Sequence, residues 1–144
     1  MNKQRGNSLL EILLVIAVSS VLIVLAVRYF AVVELNMRVA RAISQIDIIT
    51  RASYQWLEYA RKPDFSEITN ASLTTTGLVT ADDITNPWGG MIAVGAGSDS
   101  NHVRITLSGL SRYACENLSH HLETIAYSGA SAPECKAGAY YGEF

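Results

Sequence analysis

The longest pattern in the sequence is an apolar run over residues 9–27 whose one charged position is Glu11. At 1.5 Å per residue these positions give roughly 29 Å of helix, enough to cross a bilayer. Beyond the run the spacing turns amphipathic. Val39, Ile43, Ile46, Ile49, Ser53, Trp56 and Ala60 recur at three- and four-residue steps and mark one face, while Arg38, Arg41, Gln45, Arg51, Gln55, Glu58 and Lys62 fall mostly elsewhere. Glu34 to Arg38, Asp47 to Arg51 and Glu58 to Lys62 are acid-to-base pairs four apart, in the favourable order. Neither proline nor glycine occurs over residues 7–62. The pattern therefore predicts one continuous helix of about 84 Å that passes from lipid to protein core along its length. Pro63 ends it, because proline disfavours helix at the residue before it, and Asp64, Ser66, Thr69 and Asn70 continue with loop chemistry.

Residues 72–83 are polar and threonine-rich and read as a loop, carrying at most a short helix or a strand piece around Leu78 and Val79. Asn86-Pro87-Trp88-Gly89-Gly90 is a turn: Asn-Pro opens it, the glycines permit backbone closed to other residues, and Trp88 is expected to plug into the core. Residues 91–94 read as a first strand, 95–101 as a hairpin loop, and 102–108 as a second strand in which Val103, Ile105 and Leu107 alternate. Helical period returns over residues 110–123 through Leu110, Ala114, Leu118 and Leu122, with Ser111 as N-cap. Residues 128–133 are small and flexible in character, and 139–144, with Tyr140 and Tyr141, add a last strand. The fold expected is α+β: a long N-terminal helix, membrane-embedded then amphipathic, packed on a small antiparallel meander.

Composition changes this picture little. The chain has 144 residues and a formal net charge of -2, with basic residues spread along it, so nothing calls for nucleic acid. Its two cysteines, Cys115 and Cys135, both lie in the C-terminal third. Export would place them in an oxidising compartment where they can pair, and closing a loop of about 20 residues should contribute roughly 3 kcal/mol. Lys3 and Arg5 before the apolar run favour a cytoplasmic N-terminus.

Glu11 is the most telling residue. A carboxylate in the apolar layer costs roughly 2.5–3.5 kcal/mol on insertion scales, unless it snorkels to the headgroups, so it calls for a partner. An ammonium created at Asn7 by a cut after Gly6 would supply one across a subunit boundary, where the low dielectric strengthens the attraction. Gly6, Glu11 five places on and the long proline-free apolar helix resemble the class III leader and first helix of type IV pilins and pseudopilins. The resemblance implies cleavage after Gly6 by a membrane-embedded prepilin peptidase, methylation of the new N-terminus Asn7, and docking guided by Glu11. Asn7 stands where an apolar residue, commonly phenylalanine, is usual. The turn at Asn86, Pro87, Trp88, Gly89 and Gly90 is similar to one in type IVb pilins and related pseudopilins. The cysteine-bounded C-terminal region resembles the pilin D-region, implying a Cys115–Cys135 disulfide; the six-residue leader is more like the other subclass.

Other chemistry is weaker. His120 and His121 are adjacent, about 100° apart on a helix, and with His102 make a poor zinc set. Asp82, Asp83 and Asp99 lack the dense oxygen-ligand spacing of a calcium loop. Ser119-His120 with Asp83 has no nucleophile-elbow context, and glycosylation sequons at Asn70 and Asn117 are common by chance. The reading is a non-enzymatic subunit without cofactor or metal. Residues 1–6 are leader, 7–62 the helix with about 9–27 transmembrane, and 63–144 the globular head. Its expected partners are the membrane before assembly, prepilin peptidase, an inner-membrane assembly platform with a motor ATPase, and copies of itself in an extracellular filament. Such a filament would serve attachment, motility or DNA transfer. The alternatives are a pseudopilin of a type II secretion system and a single-pass membrane protein with a binding ectodomain.

Overall fold

The computed structural model describes residues 5–127 and 133–144, with only the backbone of residues 5–7. The fold is α+β as expected: α1 (Arg5–Ala60), α2 (Asn70–Thr75), β1 (Ile92–Ala96), β2 (Val103–Leu107), α3 (Arg112–Leu122), β3 (Glu134–Lys136) and β4 (Ala139–Glu143). The chain divides into two compact units, Met1–Asn36 and Met37–Phe144. The described part of the first is wholly α1, with apolar side chains such as Leu10, Ile16, Leu22 and Val27 exposed. The second holds the core.

Within the second unit α1 buries Val39, Ala42, Gln45, Ile46, Ile49, Ala52, Ser53 and Trp56. That stripe is the expected one turned slightly: Ile43 and Ala60 are only half-buried, and Ala42, Ala52 and Gln45 take part. Of the polar members Ser53 is fully paired, whereas Gln45 is paired through its nitrogen while its buried Oε1 has no hydrogen-bond partner. Ser53 Oγ donates to the Ile49 carbonyl at 2.7 Å, and Gln45 Nε2 donates to the Thr85 carbonyl at 2.9 Å. The helix stops before Pro63 through a left-handed residue, Arg61 (φ 51°), with the Lys62 amide reaching back to the Leu57 carbonyl at 3.1 Å. Lys62 pairs with Glu67 at 2.6 Å rather than with Glu58, since the helix has ended; Arg51 and Asp47 pair as expected, at 2.9 Å.

The polar stretch after it contains α2, started by a capping box in which Thr69 and Ser72 satisfy one another's amides. Leu78 and Val79 form no strand; Val79 is buried within turns. The sheet order is β1-β2-β4-β3 and every neighbouring pair is antiparallel. Ile92, Val94, Val103, Ile105, Leu107 and Tyr140 point inward, and Arg104, Thr106 and Tyr141 lie on the other face. This corrects the expected meander. The chain leaves β2 for α3, forms β3 at the far edge, and returns so that β4 fills the gap between β2 and β3. β3 was not foreseen, because its three residues are all exposed and its two-residue turn, Ala137 (φ 49°) and Gly138 (φ 75°), lacks the usual Asn-Gly signal. The first two strands also sit slightly off the expected bounds, β1 two residues later at its end and β2 one shorter at each end. Residues 128–132, read from sequence as flexible, lie outside the described residues.

Candidate functional site

At Gly6 and Asn7 the described backbone is already helical, within α1. Glu11 therefore stands four residues beyond Asn7, one turn on along the same side of the helix. Its neighbours Leu9, Leu10, Ile12 and Leu13 are exposed, so the carboxylate sits in an apolar surface that nothing covers within the described chain. The most apolar 18-residue window of this helix has mean hydropathy 2.9 and none of it is buried, so by length and composition it is able to cross a membrane. Ser20 does not interrupt that character, since its hydroxyl is turned onto the Ala17 carbonyl at 2.7 Å.

In the head the turn over residues 86–90 is organised around Asn86, not Trp88. Trp88 is only half-buried, whereas Asn86 is buried and makes three side-chain bonds. Its Oδ1 accepts from the Trp88 and Gly90 amides at 3.0 and 3.1 Å, and its Nδ2 donates to the Ser108 carbonyl at 2.7 Å. Pro87 and Gly89 (φ 83°) complete the turn, and the Gly89 amide returns to the Asn86 carbonyl. Gly90 is required by a close approach: a Cβ there would collide with the Ser108 carbonyl oxygen. The turn thus pins the entry of β1 to the exit of β2.

Cys115 and Cys135 are joined, with Cα atoms 5.9 Å apart. The bond ties the buried face of α3 to the exposed strand β3, and Ser119 Oγ adds a bond to the Pro133 carbonyl at 3.2 Å. The residues considered for other chemistry are dispersed. His120 and His121 rings are 6.4 Å apart on α3, and His102 stacks on Tyr127 with centroids 3.8 Å apart. Asp83 accepts from the Thr80 hydroxyl and amide, which hold its carboxyl below the ordinary range, and Asp99 accepts from Asn101. Among the described residues no group of three or more His, Cys, Asp or Glu side chains is gathered for a metal. Asn70 spends its amide on the open edge of β1, donating to the Ile92 carbonyl and accepting from the Val94 amide, each at 2.7 Å.

Two polar roles escaped the sequence reading. One is Asn70 as an edge cap; the other is Glu143, a 1 % exposed carboxylate bonded by Ser98 and Arg104. Their partners lie 22 to 45 residues away, so no local spacing announces them.

Comparison with known proteins adds one match. Residues 1–27 match the family described as the prokaryotic N-terminal methylation motif. None of the curated proteins matches the chain. The matched segment holds Gly6, Asn7 and Glu11 and runs to the end of the apolar stretch. With the exposed apolar helix it fits membrane anchoring, and with the motif's association with processing it points to a structural protein rather than an enzyme. Residues 1–27 are thus a prokaryotic N-terminal methylation motif of the class III prepilin kind, and they support a type IV pilin-like or pseudopilin protein.

Proposed function

We propose that the chain is a structural subunit of a type IV pilus filament, cleaved after Gly6 by prepilin peptidase, methylated on Asn7 and polymerised through α1. The observation that carries this reading is the coincidence of the matched motif with a helical stretch, residues 9–27, whose apolar side chains are all exposed. Such a helix is stable either in lipid or against other apolar helices. Exchange of one for the other is roughly neutral in hydrophobic terms, so extraction from the membrane needs outside work, which an assembly platform and motor ATPase would supply. Glu11 gives the exchange its direction. Before the cut, Asn7 offers a neutral amide; afterwards it offers an ammonium that Glu11 of a neighbouring subunit can pair with in low dielectric. Head-to-tail repetition of a contact that does not close into a ring yields an open filament on the cell surface.

The test is mass spectrometry with N-terminal mapping of material sheared from the native host's cells, beside the membrane fraction. Abundant chains beginning at Asn7 in the sheared fraction are expected. Processed chains confined to membranes would replace the pilus by a pseudopilus, and chains that still begin at Met1 would defeat the reading.

A further inference from the structure

We infer that Glu143 is an acid-releasable latch, clamping the tip of the β1–β2 hairpin loop onto the outer face of the sheet so that the tip opens before the sheet does. Glu143 faces Arg104 across β4 and β2 in register, on the face turned away from the core. It is nonetheless 1 % exposed, which on that face requires a cover. The loop over residues 97–102 provides it. Glu143 Oε1 accepts the Ser98 amide at 2.8 Å, Arg104 Nη2 at 2.7 Å and Arg104 Nε at 3.1 Å, and Oε2 accepts the Ser98 hydroxyl at 2.7 Å. The approach depends on Gly97, since a Cβ there would lie 2.8 Å from the His102 carbonyl oxygen and 3.2 Å from Glu143 Oε2.

Three of these four donors are N–H groups, with no lone pair to offer a carboxylic proton. Protonating Glu143 therefore removes the charge that Arg104 faces and adds a donor among donors. The remainder of the loop is held by other means. The Phe65 amide donates to the Ser100 carbonyl at 2.8 Å, and His102 stacks on Tyr127, whose amide donates to the Glu143 carbonyl at 2.7 Å. The Gly97 amide donates to the His102 carbonyl at 2.8 Å and the His102 amide to the Asp99 carbonyl at 3.0 Å, so opening is centred on Ser98.

Charged and titratable groups from each neighbouring element surround the latch. Arg104 comes from β2, Asp99 and His102 from the loop, Asp64, hydrogen-bonded to the Ser100 side chain, from the segment after α1, Tyr127 from the segment after α3, and Glu134, Lys136 and Tyr141 from β3 and β4. Of these, Arg104, Glu134, Lys136, Tyr141 and Glu143 line one cavity of about 270 Å³. Burial disfavours the Glu143 carboxylate, but the Ser98 and Arg104 hydrogen bonds, with the Arg104 charge, outweigh it and hold the carboxyl below its ordinary range. A depressed folded value means that the clamp is at full strength above the unfolded carboxylate range, about pH 4.3, and is lost as pH falls through the lower, folded value.

The experiment is hydrogen exchange of the full chain in detergent micelles, read by mass spectrometry as protection factors from neutral pH to about pH 2.5. The Ser98 amide, which Glu143 accepts, should lose protection by about tenfold for each unit by which the folded value is depressed, while β1 and β2 keep theirs. Glu143→Gln should show low protection of the tip throughout, without a step, and Asp99→Asn should retain the step. Unchanged tip protection down to the lowest pH, simultaneous loss in tip and sheet, or disappearance of the step in Asp99→Asn would each overturn the latch. Should Glu143→Gln not fold, Ser98→Ala, which removes one bond and keeps the amide, must move the step to higher pH; an unmoved step overturns the proposal equally.

Discussion

Glu11 and Asn86 are both polar groups in apolar settings, and their surroundings separate their roles. Glu11 lies among exposed leucine and isoleucine side chains, so the partner proposed for it would have to come from outside the chain as described. Replacing it by alanine should leave membrane insertion intact yet stop or slow polymerisation. Membrane fractionation beside quantification of sheared filaments checks this, and normal filaments from Glu11→Ala would remove the pairing with Asn7. Asn86 has its partners inside the head. Asn86→Ala strips two amides of their acceptor and the Ser108 carbonyl of a donor, and should cost about 2–3 kcal/mol in the buried turn. Denaturant unfolding measures it, with Trp88→Ala expected to cost less than Asn86→Ala because the indole is only half-buried.

At the scale of elements, α3 and β3 depend on one another. β3 has three exposed residues and one neighbouring strand, too little to hold itself in place. The Cys115–Cys135 bond, 20 residues apart in sequence, fastens it to a helix whose Ala114, Leu118 and Leu122 are buried. Replacing both cysteines by serine should lower the head's stability by about 3 kcal/mol. The loss should be uneven, with β3 gaining protease and exchange sensitivity first while β1, β2 and β4 persist through their own ladder. Limited proteolysis with peptide mapping distinguishes this from uniform loosening. At the other edge no covalent bond is needed, because the Asn70 side chain occupies the strand's free amide and carbonyl.

On the scale of the whole molecule, the unit Met37–Phe144 contains the buried core, the sheet and the disulfide. A fragment of residues 37–144 should therefore fold without the apolar half of α1, giving a cooperative transition by circular dichroism; a fragment without one would mean that the first unit contributes to the core. Its stability should fall below about pH 4. Asp64, through the Ser66 hydroxyl and amide, Asp83, through those of Thr80, and Glu143, against its burial, all carry folded values below the ordinary carboxylate range. Each contributes stability above the unfolded value that is lost as pH falls through the folded one. Thermal unfolding at neutral and acid pH checks the sign, and greater stability in acid would contradict it.

The sequence by itself determined whatever depends on near neighbours. The unbroken period of α1, the Ser111 cap, the alternation of Val103, Ile105 and Leu107, and the spacing of Gly6, Asn7 and Glu11 are set by residues within a few places of each other. Periodicity and capping act over one or two turns, so these features can be read along the chain. Tertiary structure alone decided that β4 lies between β2 and β3, that Asn86 rather than Trp88 is the buried anchor, that Asn70 caps β1, and that Glu143 is buried under a loop. Each of these rests on a hydrogen bond or strand pairing between residues that meet only after folding. Bonds of that kind leave no period in the sequence, because their partners are fixed by the path of the chain between them.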